Sequence, residues 1–173
     1  DTTTLKRTRP WYYATKYLGD NYRMSDIHAS LGVSHIKKIE KFWKKRRLIA
    51  KFYNTIFDKD ERFNIPTIKK NFTHSYHLYP LLLNMKKIKM SKKQIFEKFF
   101  KNKIKLQVHY IPIIYQPYYK KIKKYKSELQ NTKEFYDRQI SLPIYYDLSL
   151  DKLKYIKKVC LKIFNIKWTY LVI

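Results

Sequence analysis

Apolar positions step through the first third of the chain at helical intervals. Ile27, Leu31, Ile36, Ile39, Trp43, Ile49, Tyr53 and Ile56 recur mostly every three or four residues, which places them along one stripe. The spacing predicts a long helix over 25–57, with room for a bend. Ser25 reads as its N-cap, and Asp26 follows in the first turn, where a negative charge suits the helix dipole. Gly32 lies inside this helix at a cost of roughly 1 kcal/mol relative to Ala, so close packing or an interface is expected there.

Shorter patterns alternate further on. Residues 58–72 form a polar connection containing Pro66, and an apolar run predicts a strand over 75–83. Ser91 caps a helix that carries Ile95, Phe96, Phe99 and Phe100 to residue 102, and a second strand over 104–109 ends at His109. Pro112 to Lys126 is crowded with Pro, Tyr and Lys and reads as a loop. A helix over 132–140 follows, capped by Asn131 or Thr132, then a short extended segment, Leu142-Pro143-Ile144. Ser149 caps the last helix, which runs to Phe164. Strands alternating with helices predict an α/β or α+β class, with a small sheet covered by helices. The chain thus divides into a lead-in at 1–24, the long helix at 25–57, a small α/β domain at 58–164 and a tail at 165–173, read as an extra strand or a frayed end.

Length and apolar content suit one soluble globular unit. Of 173 residues, 45% are hydrophobic, enough for a core that buries roughly 70% of the unfolded surface. No apolar run approaches a membrane span and no cleavable signal pattern opens the chain, so the expected compartment is the cytoplasm. Cys160 is the single cysteine, which rules out an internal disulfide and, between Val159 and Leu161, points to a buried structural thiol. His28, His35 and His74 lack metal-ligand spacing, so no metal is expected, and His77 reads as a strand-packing histidine.

Charge changes the picture more than length does. There are 39 Lys+Arg against 13 Asp+Glu, a net charge of +26, with 17% aromatic residues. Such a balance is the footprint of a basic nucleic-acid-binding module. Against it, the basic residues are mostly Lys, spread as pairs between apolar positions in the manner of solvated faces. Nucleic-acid binding is therefore the minor reading.

Candidate chemistry concentrates at three places. Gly19-Asp20-Asn21-Tyr22-Arg23-Met24-Ser25-Asp26 sets an amide, a phenol and a guanidinium at the mouth of a helix, groups that suit a phosphate or an anionic sugar. A turn asparagine and a surface arginine paired with Asp20 or Asp26 would give the same residues. Gln107-Val108-His109-Tyr110-Ile111-Pro112 and Ser141-Leu142-Pro143 are the other two places.

With these three in order, the sequence resembles the DegT-type nucleotide-sugar aminotransferases, which use pyridoxal phosphate (PLP) to aminate a keto sugar on a nucleotide carrier. Pro10-Trp11-Tyr12-Tyr13, Ile27-His28-Ala29-Ser30-Leu31-Gly32, Arg46-Arg47 with Ile49-Ala50, and His77-Leu78-Tyr79-Pro80 match as well. The opening and the His109 run look most like the UDP-linked transaminases of pseudaminic acid synthesis.

The resemblance implies the C-terminal part of a fold-type I PLP-dependent transferase, with glutamate as amino donor, a UDP-sugar as substrate and a homodimer as the working form. It implies that Asn21 reaches the PLP phosphate of the neighbouring subunit and that Arg23 joins the same interface or the nucleotide diphosphate. Tyr22, His109 and Tyr110 are implied to lie at the sugar-nucleotide end of the pocket. The lysine that carries PLP, the aromatic that stacks on its ring and the acid that pairs with its nitrogen lie upstream in the family. No catalytic residue is therefore expected in this chain, nor turnover by the chain alone. Asp20 departs from a position that is normally aromatic, and His28 and His35 from positions that are usually glutamine. A non-catalytic truncated fragment is the alternative.

Overall fold

In the computed structural model, residues 20, 22–119 and 129–167 are described. They fall into two units, divided between Lys37 and Lys38.

The first unit contributes helix α1, Asp26–Ile36. Ser25 caps it, its hydroxyl accepting from the His28 N–H, with Asp26 in the first turn as expected. The apolar residues Ile27, Leu31, Val33 and Ile36 are all exposed, and no residue of α1 is buried. A Cβ built on Gly32 meets nothing within 4 Å, so the close packing expected at this glycine is not found among the described residues.

The single helix predicted over 25–57 is corrected to two. Helix α2 runs Ile39–Phe57, and Lys37 and Lys38 separate it from α1. Gly32, Val33, Ser34 and His35 are weak helix formers, which explains why the first helix ends there rather than running on.

The second unit is built around a three-stranded antiparallel sheet in the order β1 (Phe63–Asn64), β2 (Tyr79–Leu83), β3 (Gln139–Leu142). Tyr79 pairs with Leu142 and Leu81 with Ile140, so these four share one face; Pro80 with Ser141 and Leu82 with Gln139 share the other. The first face meets the core formed with α2, α3 (Lys92–Lys101) and α5 (Leu150–Phe164), where Ile49, Tyr53, Phe57, Ile95, Phe99, Ile156 and Cys160 are buried. Ser91 closes a full capping box with Gln94, and Ser149 caps α5 through the Lys152 N–H, both as predicted. Cys160 is a free, buried thiol.

Four expectations are corrected. The polar connection at 58–72 contains β1, whose two residues pair with Leu83 and Leu82. The strand predicted over 75–83 starts only at Tyr79, because Tyr76 adopts a left-handed backbone (φ 49°) and Arg46 takes the carbonyls of Tyr76 and His77. The strand over 104–109 is reduced to one bridge, Gln107 with Ser141, since the next ladder donor, the His109 N–H, turns to the Gln139 side chain. The helix over 132–140 is α4, Gln130–Arg138; Leu129 stands at its cap without a side-chain bond, and Gln139 and Ile140 leave it for β3, where pairing with β2 overrides helical spacing.

Ile113–Tyr115 form a short 3-10 helix inside the expected loop, whose remainder from residue 120 lies outside the described residues. In the tail, Asn165 ends α5 in the left-handed conformation, and residues 168–173 lie outside the description.

Candidate functional site

A cleft of about 540 Å³ opens beside β3 in the second unit. Its buried walls come from Ile104, Leu142, Ile144, Leu148 and Ile156, and its polar side from His77, Gln107, His109 and Ser141. Lys103, Lys105 and Lys152 border it, and among the described residues no Asp or Glu lines it. An apolar slot with a few converging polar groups and a one-signed border suits an anionic ligand with a flat or apolar portion.

His109 is fixed by two residues of β3. Its backbone N–H donates to Gln139 Oε1 at 3.0 Å, and its Nδ1 lies 2.8 Å from Ser141 Oγ. Gln139 Nε2 donates to the same Ser141 oxygen at 2.6 Å. The two-residue period of β3 puts both side chains on the face turned away from the core, and both residues are buried. Burial, followed by the nearby His77, lowers the pKa of the His109 imidazole below its ordinary value, which favours the neutral ring.

His77 is exposed and borders the cleft, so the packing role expected of it is corrected. Its position follows from Arg46 on α2, whose Nη1 donates to the carbonyls of Tyr76 at 3.2 Å and His77 at 2.8 Å. The Tyr76 N–H in turn donates to His74 Nδ1 at 3.0 Å. Pro143 also lines the cleft, and the Tyr53 hydroxyl donates to its carbonyl at 2.6 Å, tying the residue after β3 to α2.

Tyr110 packs edge-on against the His109 ring at 4.9 Å between centroids, is exposed, and is not part of the cleft lining. Tyr22 and Arg23 belong to the first unit, where both are exposed just before the α1 cap, and the Tyr22 hydroxyl donates to Asp20 Oδ2 at 3.1 Å. Asn21 lies outside the described residues, as does the Pro10-to-Tyr13 motif. The guanidinium and the first-turn N–H groups of α1 are donors of the kind that fit a phosphate such as that of PLP, whereas the Tyr22 phenol spends its proton on Asp20. Sequence reasoning missed Gln139 and the exposure of His77; Arg46 and Ser141 each carried a motif but no role. Among the described residues, no three His, Cys, Asp or Glu side chains come together, and no helix is long and apolar enough to cross a membrane.

The profile of the DegT/DnrJ/EryC1/StrS aminotransferase family matches residues 3–161. The chain belongs to that family. Within it, an uncharacterised protein of Methanocaldococcus jannaschii is 40% identical over 154 residues, covering 86% of this chain and 40% of its own. The UDP-4-amino-4,6-dideoxy-N-acetyl-beta-L-altrosamine transaminase of Campylobacter jejuni is 35% identical over 153 residues, covering 88% of this chain and 40% of its own. Among solved structures, Helicobacter pylori PseC, an aminotransferase involved in the biosynthesis of pseudoaminic acid, superimposes with a TM-score of 0.79 at 33% identity. That match covers 90% of this chain and 41% of PseC. The chain therefore spans about 40% of the length of the curated relatives it matches. The α/β class and the transferase fold expected from the sequence are borne out by this aminotransferase structure and by the small sheet under its helices.

Proposed function

We propose that the chain forms the C-terminal part of a PLP-dependent aminotransferase that moves an amino group from glutamate to the keto carbon of a UDP-linked deoxy sugar. The family match over residues 3–161 carries this reading, and the relatives described as altrosamine transaminases favour a sugar of that class. PLP supplies an electron sink for the bonds broken and made at the amino carbon. In this reading Asn21 and Arg23 hold the PLP phosphate across a homodimer interface, and Tyr22 lies beside them. His109 and Tyr110 contact the nucleotide sugar, with His109 in the cleft wall and Lys103, Lys105 and Lys152 drawing in the diphosphate. Positive charge without opposing carboxylates raises the local concentration of such an anion. A biosynthetic enzyme acting on a nucleotide sugar would work in the cytoplasm.

Co-expression with the N-terminal portion of the Campylobacter relative tests the reading. A stable complex that retains PLP, and whose cofactor absorbance changes on adding glutamate, supports it. Arg23→Ala should weaken PLP retention in that complex. A stable complex that takes up no PLP refutes the proposal and leaves the non-catalytic fragment.

A further inference from the structure

The hydrogen bonds around His109 decide which of its ring nitrogens carries the proton. The His109 backbone N–H can only donate, so the Gln139 atom facing it at 3.0 Å is the carbonyl oxygen, and the amide orientation is fixed. Gln139 Nε2 is then the atom at 2.6 Å from Ser141 Oγ, and an amide nitrogen can only donate. The main-chain N–H and carbonyl of Ser141 are spent on Gln107, so the hydroxyl proton remains to be placed. Among the described residues its acceptor is His109 Nδ1 at 2.8 Å. The reverse arrangement, Nδ1–H donating to Ser141, would strand that proton on a residue only 4% exposed. A ring nitrogen that accepts bears no proton, which leaves the proton of the neutral ring on Nε2.

We propose that Gln139 and Ser141 are positioning residues that hold His109 in the Nε2-protonated tautomer, so that it offers a hydrogen-bond donor to an oxygen acceptor of the ligand in the cleft. That the ligand is a nucleotide sugar, with carbonyl and phosphoryl oxygens to offer, rests on the function proposed above; the tautomer does not. The chain Gln139 → Ser141 → His109 runs in one direction because its first member cannot accept through nitrogen. A ligand oxygen is matched at Nε2, and a ligand ammonium is not.

Two-bond proton–nitrogen correlation spectra of the full chain, labelled with ¹⁵N-histidine, read this directly. The His109 signals are assigned by their loss in His109→Gln. Above the titration range, the Nε2–H form should exceed the Nδ1–H form by roughly tenfold or more, as expected for one well-made buried hydrogen bond added to the ring's own preference. Gln139→Glu keeps the acceptor for the His109 N–H but replaces the donor to Ser141 by an acceptor. The Ser141 proton then turns to the carboxylate, and the Nδ1–H form should predominate. Ser141→Ala should relax the ratio to that of histidine in the urea-unfolded chain, and it supplies the contrast if Gln139→Glu does not fold. Nδ1–H in the wild type, or a ratio unchanged in a folded variant, overturns the proposal. The readout needs neither PLP nor nucleotide, so failure here is distinct from failure of the co-expression assay.

Discussion

Tyr53→Phe isolates one bond that ties the cleft wall to the core. Tyr53 is fully buried on α2, packs its ring at 5.0 Å from that of Tyr79, and donates its hydroxyl to the Pro143 carbonyl at 2.6 Å. Phenylalanine keeps the ring and its packing, so only the hydroxyl is lost. A net hydrogen bond contributes about 1 kcal/mol, and the abandoned Pro143 carbonyl, on a half-buried residue, adds a fraction of the 1–3 kcal/mol that full burial would cost. The expected loss is about 1.5 kcal/mol, roughly tenfold in the folding equilibrium. For a domain of this size that lowers Tm by about 3–6 °C. Burial pushes the Tyr53 phenol far above its ordinary range, so it stays a donor and the loss should be flat from about pH 5 to 9. Urea denaturation of the full chain followed by circular dichroism measures it, with an unchanged m-value expected. Tyr79→Phe is the control: its hydroxyl meets the Asn54 side chain at 2.7 Å, which is half-buried and free to turn to water, so a smaller loss is expected. A Tyr53→Phe chain within about 0.3 kcal/mol of wild type would refute the reasoning.

Three further outcomes follow from geometry already given or from its neighbours. Arg62 donates to both oxygens of Asp60 at 2.6–3.1 Å and holds its carboxyl below the usual range, so the stabilisation is present above the ordinary carboxylate value and is lost as pH falls through the lowered one. Asp60→Asn should therefore flatten the acid limb of a stability–pH curve measured by denaturant titration. Ser91→Ala removes the capping box of α3 and should cost about 1 kcal/mol in the same assay, with hydrogen exchange rising first at Lys93 and Gln94. Cys160, fully buried and with its thiol pushed up by burial, should resist a thiol reagent in the native chain and react only at the rate of unfolding, so fast native labelling would contradict its placement.

Helix starts marked by a serine cap were the most legible part of the fold. Ser25, Ser91 and Ser149 were each placed correctly because capping is decided within four residues of sequence. Strand limits were not, because they depend on partners far along the chain. Gln139 and Ile140 continue the helical spacing of α4 and are claimed instead by Leu82 and Leu81 across the sheet. Residues 104–109 have strand-like composition, but the Gln139 side chain takes the His109 N–H and leaves a single bridge. The candidate site shows the same division. His109 stood out through its motif, whereas the residues that orient it lie 30 and 32 positions away, and a glutamine inside an expected helix gives no signal of that role. His77 looked like a packing residue by its run of apolar neighbours; only the Arg46 bonds, reaching 30 and 31 residues along the chain, turn it outward.

The sheet has little open rim. β1 is two residues long and is followed two positions later by Pro66, which cannot donate to a neighbouring strand. On the other side, Gln107 already occupies the outer edge of β3 at Ser141, and Pro143 comes directly after its last residue. A newly made chain with 45% hydrophobic residues carries strands that could pair with those of another copy before the helices cover them. Once folded, the described sheet presents no long row of unpaired amides for a second copy to extend, so strand-to-strand aggregation is confined to the time before β3 and Gln107 have met.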